Sequence, residues 1–178
     1  MQKLGTAASA AGTSRVEVGQ GERTFLVFRL GQDEFALPIE AVDEVSEVPA
    51  QITRLPKTPK FLEGVINLRG EVLPVVDQRR RFDMPHREAG ERPRLVVVRS
   101  ERQRAGIIVD SVSDVLRVAS AALEPAPDLT DEIARLVREV INLDKAGRIV
   151  LVLDPTELLT PAERRLLDAF QKAKQAGA

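Results

Sequence analysis

Three aspartates stand where apolar runs end, and their type and placement could support chemistry. Asp77, Asp110 and Asp154 each follow a run rich in Val, Leu and Ile. Carboxylates gathered at strand ends could hold a divalent cation or act as an acid and base pair. The same positions suit helix caps, because Asp accepts hydrogen bonds from the first free N–H groups of a helix. We favour capping, and a metal-dependent hydrolase is the alternative.

The composition removes most other catalytic chemistries. The 178 residues include no Cys and a single His, His86, which excludes disulfides, thiolate zinc sites, cysteine nucleophiles and sites with several His ligands. His86 lies in a polar stretch, where we expect it to be solvated. The sequence contains no phosphate-binding loop, nucleophile-elbow or zinc-protease motif. We therefore predict no catalytic residue, no metal and no cofactor.

The charge balance argues against nucleic acid and membranes as partners. Charged residues make up 30% of the chain, yet the net charge is only -1, so no global field attracts polyanions. We expect Arg79-Arg80-Arg81 to form a solvated helical face. No apolar run approaches the ~18 residues that span a bilayer, and no export signal is evident. We expect a cytoplasmic protein that does not insert into the membrane.

One charged residue, Arg69, lies beside a predicted turn without an evident packing role. The stretch F-L-E-G-V-I-N-L-R-G-E-V-L-P-V-V-D contains two apolar runs that flank Asn67 to Gly70. This pattern predicts a β-hairpin whose turn uses Gly70, because glycine tolerates positive φ. A guanidinium presents five fixed donors and suits pairing at a protein interface. Arg69 is either part of a contact surface or an ordinary exposed turn residue.

The remaining elements are mostly short strands. We predict a short helix that begins at Pro38 and places Ile39, Val42 and Val45 on one face. Residues 135–143 fit either a helical stripe or a strand, and the apolar partner run at 148–153 favours a strand. Two helix starts, at residues 154–157 and 160–163, carry a cap, a Pro and a Glu in capping-box spacing. Residues 1–21 have little to bury and read as a disordered tail.

The chain also resembles itself at an offset of 70 residues. Leu37 then aligns with Ile107, and the aligned positions continue without a gap to Val45 and Val115. The hairpin at 65–77 recurs at 140–154, with an offset of 75 at its start. Chance alignment of two strand–turn–strand units is the alternative. A duplicated unit of roughly 70 residues would hold about five strands, enough for a small closed barrel.

These segments together resemble a known family. F-L-V-F-R-L-G, I-x-x-V-x-E-V, L-P-x-T-P-x-F-L-E-G-V-I-N-L-R-G-E-V-L-P-V-V-D and A-G-I-I-V-D-S-V-S-D-V-L are similar to the CheW coupling proteins of bacterial chemotaxis. The resemblance runs from about Arg23 to Leu159. It implies an all-β fold of two interlocked five-stranded SH3-like β-barrels with short connecting helices and a C-terminal helix. It divides the chain into a tail (1–21), a CheW-like domain of two barrel subdomains (22–160), and a C-terminal helix and tail (161–178).

The resemblance also implies partners and a binding surface. Family members are non-catalytic adaptors that link the cytoplasmic tip of chemoreceptors to the regulatory domain of the histidine kinase CheA, at receptor arrays on the inner face of the membrane. Carried over by motif position, the groove for receptor or kinase comprises Arg69, Glu44, Ile39, Val42, Val109 and Val112. We further predict that Glu44 and Arg69 form an ion pair across this groove. Pilus motility or second-messenger signalling is the alternative pathway for such an adaptor.

The sequence departs from the family pattern at one strand. The family often has Gly near the position of Glu139, and Arg138-Glu139-Val140 contains none, so the local geometry of this strand is open to test. The chain carries no phosphotransfer domain, ATP-binding motif or receiver domain, which excludes a complete CheA kinase or a receiver fusion within this sequence.

Overall fold

The computed structural model describes residues 21–55, 62–88, 91–101, 103–128, 135–143 and 147–176. The predicted N-terminal tail, apart from its last residue, lies outside these segments. Strands dominate them, as the resemblance implied. The strands are β1 (Glu22–Leu30), β2 (Asp33–Pro38), β3 (Val42–Glu47), β4 (Leu62–Leu68), β5 (Glu71–Asp77), β6 (Arg94–Arg99), β7 (Arg104–Val109), β8 (Ser111–Ala119), β9 (Leu123–Pro125), β10 (Val137–Leu143) and β11 (Arg148–Leu153). The helices are α1 (Gln78–Arg81) and α2 (Pro161–Ala176), with short 3-10 turns at Ile39–Ala41, Ser120–Ala122 and Pro155–Glu157.

The strands form two sheets, which confirms the expectation of two barrel-like units. One sheet has the order β8-β1-β2-β11-β10-β9 and the other β3-β6-β7-β5-β4. The second sheet has the five strands expected. The first has six, because the three-residue strand β9 adds to the edge of β10.

The two sheets interlock because each takes its first hairpin from the other half of the chain. The hairpin β1–β2 lies between β8 and β11, and the hairpin β6–β7 lies between β3 and β5. Each inserted hairpin makes one antiparallel and one parallel pairing with its host strands. The chain therefore crosses from one sheet to the other between β2 and β3, and again between β7 and β8.

The strand registers confirm the internal repeat. Val45 of β3 lies opposite Val96 of β6, and Val115 of β8 lies opposite Leu26 of β1. The offset of 70 residues converts each of these pairs into the other. Both pairings also contain a register shift at the matching place. The chance-alignment alternative is therefore wrong, and the halves are related strand by strand.

The core has three parts, and two of them are the clusters enclosed by each curled sheet. Phe25 and Val27 point into one interior, whereas Leu95 and Val97 point into the other. The third and largest cluster lies between the sheets and includes the alternate residues of the same strands, such as Phe28. Because both faces of these strands are buried, they read as continuous apolar runs rather than alternating ones.

The helix predicted from Pro38 is wrong beyond its first turn. Ile39–Ala41 is a 3-10 turn, and strand β3 begins at Val42. The register shift between Val42 and Glu44 places Val42 opposite Val98 and Val45 opposite Val96, so both residues lie on the same face of the strand. Val45 is exposed while Val42 is half-buried. Pairing with β6 outweighed the local helical spacing.

The strand predicted at 135–143 is confirmed as β10, and its missing glycine has a physical explanation. Register shifts occur immediately before Gly64 in β4 and Glu139 in β10, which are equivalent positions in the two halves. A Cβ at Gly64 would lie 2.1 Å from the carbonyl oxygen of Thr53. Glu139 instead lies beside β9 and binds Arg23 at 2.8 Å, so glycine is dispensable there.

The prediction of a solvated basic face at Arg79-Arg80-Arg81 is wrong for two of the three arginines. Arg79 and Arg81 are buried on α1. The guanidinium of Arg81 donates to Glu163 of α2 at 2.9 Å, with both side chains almost completely buried. Glu163 also accepts from the Thr160 N–H at 2.8 Å, while its own N–H donates to Thr160 Oγ1. The predicted capping box is thus confirmed, and its Glu has a second role.

Candidate functional site

The turn between β4 and β5 places Arg69 at the tip of a two-residue hairpin loop. Arg69 has φ 51° and Gly70 has φ 87°. Positive φ at both central residues is the signature of a type I′ turn, which favours Asn-Gly and matches the twist of the flanking strands. The Gly70 N–H donates to Asn67 Oδ1 at 2.8 Å and completes the turn. The predicted hairpin is confirmed, and it projects Arg69 into solvent.

The predicted ion pair between Glu44 and Arg69 is present. Arg69 Nη1 donates to Glu44 Oε1 at 2.6 Å, and Nη2 approaches Oε2 at 3.4 Å. The Arg69 side chain is 72% exposed and that of Glu44 is 26% exposed. Glu44 lies on β3 and Arg69 follows β4, the two edge strands of this sheet. The pair therefore shows that the sheet curls until its edges approach each other.

The charges of the pair are mutually stabilised. The hydrogen bond from Arg69, and then its positive charge, hold the pKa of Glu44 below its ordinary value although partial desolvation opposes this shift. The same contact raises the pKa of Arg69. Both groups are thus ionised at neutral pH and form a fixed, exposed, bidentate pair that a partner can meet as one unit.

Further charges surround the pair and were not identified from the sequence. Asp43, next to Glu44, accepts from Arg104 Nε at 2.9 Å and pairs with Arg99 at 3.0 Å. Arg104 also reaches Glu71 at 2.9 Å. Each of these residues lies at or near a strand end, but only the barrel brings them together. The internal repeat gave a partial indication of the place of Arg104, since it aligned β7, which begins at Arg104, with β2.

Three of the four predicted apolar residues are accessible in part. Ile39, Val42 and Val112 are half-buried and pack against the core cluster between the sheets. Val42 and Val112 are equivalent positions, on β3 and β8. They lie where the chain has just crossed from one sheet to the other, and both side chains remain partly accessible.

Val109, the remaining apolar candidate, is fully buried in the core between the sheets. Its assignment as a surface contact is incorrect, because β7 is an interior strand with β6 and β5 on either side. The expectation carried Val109 over by motif position, and Val109 aligns with Ile39 at the offset of 70. The alignment is sound, but Ile39 lies on a 3-10 turn and Val109 ends a strand.

The three strand-end aspartates have structural partners. Asp77 accepts from the Arg79 N–H at 3.0 Å and Asp154 from the Thr156 N–H at 2.9 Å, so both cap as predicted. Asp110 does not cap; it accepts from the Gly31 N–H at 2.6 Å and from the guanidinium groups of Arg79 and Arg87.

Asp110 is also held in its charged form. Burial opposes its ionisation, but hydrogen bonds from Arg79 and Gly31 and the charges of Arg79 and Arg87 keep the pKa of Asp110 below its ordinary value. Within the described segments, no group of three or more His, Asp or Glu side chains is placed to hold a metal ion. His86 is exposed, as expected. No helix in these segments is both long and apolar enough to cross a bilayer.

Comparisons with known proteins agree with this architecture. A model of the CheW-like domain family matches residues 24–163. The chemotaxis protein CheW of Klebsiella aerogenes is 33% identical over 174 residues, which cover 97% of this chain and 99% of that protein. Protein FrzA of Myxococcus xanthus is 33% identical over 144 residues, 81% of this chain and 89% of that protein.

A solved structure shows the same fold. The scaffolding protein TtCheW of Thermoanaerobacter tengcongensis superposes with a TM-score of 0.66 at 33% sequence identity, covering 74% of this chain and 88% of that one. The family match spans both sheets and the hairpin that bears Arg69. The chain therefore belongs to the CheW family.

Proposed function

We propose that this chain is a non-catalytic adaptor that couples the cytoplasmic tip of chemoreceptors to the regulatory domain of a CheA-type histidine kinase. Membership of the CheW family supports coupling in chemotaxis. The chain would act in the cytoplasm, at receptor arrays on the inner face of the membrane. Its mechanism is binding, and its chemistry is that of a protein interface with an aliphatic centre and a charged rim.

The observation that carries the proposal is the exposed Arg69 on a turn that does not need it. A type I′ turn prefers Asn or Gly at this place, so the backbone gains nothing from arginine. The guanidinium is anchored by Glu44 but keeps most of its surface free. Arginine residues held in this way are common anchors of protein interfaces, where they are enriched among residues of high binding energy.

The aliphatic part of the interface is assigned to Ile39, Val42 and Val112. These side chains are held by the core on one side and are accessible on the other. A helix or loop of a partner that covers them would bury apolar surface without first ordering it, which lowers the entropic cost of binding.

The test is a pull-down with a receptor cytoplasmic fragment and the kinase regulatory domain. Arg69→Glu should leave the fold and melting temperature nearly unchanged and should weaken assembly about tenfold or more, because it places two carboxylates together at the interface. Arg54→Glu is the matched control, since Arg54 is an exposed arginine on the same half of the chain. Unchanged ternary assembly by Arg69→Glu would remove the site assignment.

A second variant separates the ion pair from the contact. Glu44→Arg combined with Arg69→Glu retains a pair but reverses its polarity. If the partner contacts Arg69 directly, this variant should remain defective. Recovery of binding would instead mean that the pair acts only by holding the two edges of the sheet together.

The similarity to FrzA supports a second candidate, an adaptor for another kinase pathway. That relative has the same percentage identity as the CheW of Klebsiella aerogenes, 33%, over a shorter stretch of 144 against 174 residues. Purification of the chain from its native host, followed by identification of the bound receptor and kinase, distinguishes the two. A partner kinase outside chemotaxis would favour the second candidate.

A further inference from the structure

The two halves of the chain are alike enough that the same strands could also pair in a second, competing arrangement, called here the competitor. In the structure, each first hairpin joins the sheet of the other half. In the competitor, β1–β2 would join β3, β4 and β5, while β6–β7 would join β8, β10 and β11. Apolar residues would meet apolar residues in both arrangements, so the hydrophobic pattern alone does not distinguish them, although residue sizes differ at positions such as Phe35 and Ala105.

The parallel pairings locate the positions at which the two arrangements differ. Ala36 of β2 lies opposite Val152 of β11, and Gly106 of β7 lies opposite Val75 of β5. An offset of 70 relates Ala36 to Gly106, and an offset of 77 relates Val75 to Val152. The hairpin strands and their hosts thus have a residue-by-residue correspondence.

At the charged ends of these strands, equivalent positions in the two halves carry opposite charges. Glu34 of β2 is equivalent to Arg104 of β7, and Arg148 of β11 is equivalent to Glu71 of β5. Arg148 donates to Glu34 through two bonds of 2.7 and 2.8 Å, and Arg104 donates to Glu71 at 2.9 Å. The ion pair at the same place in each sheet therefore has opposite polarity.

Exchange of the hairpins would turn both attractions into repulsions. Glu34 would lie beside Glu71, and Arg104 would lie beside Arg148. Asp43 reinforces the difference, because it now binds Arg104 at 2.9 Å and would then face Glu34. The Glu34 and Arg148 side chains are 10% and 28% exposed, so water screens this pair incompletely. Arg104 and Glu71 are 27% and 50% exposed, so water screens their pair more strongly.

We propose that the opposite polarity of the Glu34–Arg148 and Arg104–Glu71 ion pairs determines which half of the chain each first hairpin joins. The two ion pairs favour the interlocked fold over the arrangement in which each half closes on itself. Charge is used here to exclude a competing strand pairing, because the wrong pairing would bring like charges together.

The test reverses one pair and keeps the net charge of the chain. Glu34→Arg with Arg148→Glu retains an ion pair in the interlocked fold but gives both sites the same polarity. The competitor then gains two attractive contacts. Adding Arg104→Glu and Glu71→Arg restores opposite polarity at the two sites. Arg54→Glu with Glu63→Arg is the matched control, because Arg54, Glu63 and the nearby Arg80 all belong to the first half and stay together in either arrangement.

Introduced cysteine pairs report which arrangement forms, since the parent chain has no Cys. Gln32 and Ile149 line one groove of the interlocked fold, so Gln32→Cys and Ile149→Cys should be joined by a short bis-maleimide. Val72 is the equivalent of Ile149, and Gln32→Cys with Val72→Cys reports the competitor. Each chain is refolded from denaturant at high dilution, and the yields of the two intramolecular cross-links are compared by electrophoresis.

The single-pair reversal should change the ratio of the two cross-links. The link that reports the competitor should rise about tenfold relative to the link that reports the interlocked fold, the change expected from roughly 1.4 kcal/mol. The four-residue reversal and the Arg54–Glu63 control should keep the parent ratio. A parent ratio in the single-pair reversal would overturn the proposal. An equal rise in the single-pair and four-residue reversals would also overturn it, because local disruption rather than polarity would then be responsible.

Discussion

At the scale of single residues, Arg69 shows how a proposed binding role can conflict with local preference. Its left-handed backbone is uncommon for a residue with a long side chain, and nothing in the hairpin requires arginine there. The cost is tolerated because Gly70, Asn67 and the flanking strands already determine the turn. Conformations of this kind persist where surrounding structure over-determines them, and they concentrate at functional sites.

Gly64 is the opposite case, a residue that the fold itself requires. It has φ 149° in strand β4, and a Cβ there would meet the backbone of Thr53, which pairs with Val65 through an isolated bridge. The chain before β4 therefore lies too close to the strand for any side chain. Glycine is needed here because two backbones lie close together, and not because the chain turns.

We expect Gly64→Ala to destabilise the protein by about 3 kcal/mol or more, through both a backbone clash and a conformation that L residues rarely adopt. Gly70→Ala is the control, because Gly70 has positive φ but open space around it, and it should cost only about 1 kcal/mol. Chemical denaturation of both variants measures the difference. Equal losses would show that φ alone, and not the contact with Thr53, explains Gly64.

Gln78 on α1 offers a stabilising substitution. Its side chain is fully buried, and within the described part of the chain neither Nε2 nor Oε1 has a hydrogen-bond partner. Gln78→Leu should raise the free energy of unfolding by about 1–2 kcal/mol, because it removes two unpaired polar atoms at similar volume. The exposed Gln51→Leu is the control. A loss of stability in Gln78→Leu would contradict this account.

At the scale of elements, the buried Arg81–Glu163 pair joins α1 to the C-terminal helix. Glu163 at once caps α2 and neutralises Arg81, and Leu167, one turn later, enters the core between the sheets. Gln171 donates to the Val72 carbonyl of β5 at 3.3 Å. The helix that the sequence placed beyond the domain is therefore packed against it along its first three turns.

We expect Glu163→Gln to destabilise the protein by about 3 kcal/mol, since it removes the buried carboxylate charge that lies 2.9 Å from the Arg81 guanidinium. The amide oxygen can still accept from Thr160, so the cap is largely preserved. Arg81→Met combined with Glu163→Gln should cost less than the sum of the single changes, because no uncompensated charge remains. Thermal unfolding of the three variants tests this coupling, and strictly additive losses would refute it.

At the scale of the whole molecule, ion pairs hold the interlocked halves together. Asp110 lies where the chain crosses between sheets, and it binds the turn after β1 through Gly31 and the region after β5 through Arg79 and Arg87. Glu34 binds Arg148 within one sheet, where β2 of the first half pairs with β11 of the second half. Charged contacts thus join the two halves of the chain, and those of Asp110 also join the two sheets.

These contacts predict acid sensitivity. Asp110 and Glu34 have folded-state pKa values below their ordinary 3.8 and 4.5, so the unfolded chain binds more protons than the folded chain near those values. Their stabilisation is complete above the unfolded pKa and is lost as the pH falls through the folded pKa. The free energy of unfolding should be nearly constant above about pH 5 and should fall below it.

Asp110→Asn is the matched variant for this dependence. It should be less stable at neutral pH, because Arg79 and Arg87 lose a charged partner, and it should lose less stability on acidification. Urea denaturation at a series of pH values measures both curves. Parallel curves for the parent and Asp110→Asn would show that other carboxylates cause the acid sensitivity.

Local patterns in the sequence were sufficient wherever the deciding contacts are local. The hairpin at Asn67 to Gly70, the capping box at Thr160 and Glu163, and the caps at Asp77 and Asp154 all follow from residues within a few positions of one another. Their interactions form between chain neighbours, so composition and spacing specify them. The internal repeat added the number of strands and their division into two units.

Tertiary structure alone decided the helix-to-strand change at β3, the burial of Val109 and Arg81, and the partners of Asp110. Each depends on contacts between segments that are distant in the chain, such as β3 with β6 or Arg81 with Glu163. The sequence by itself determined the repeat, the hairpins and the Arg69 turn. Only the fold decided which half each hairpin joins, because that choice depends on contacts between segments distant in the chain, such as Glu34 with Arg148.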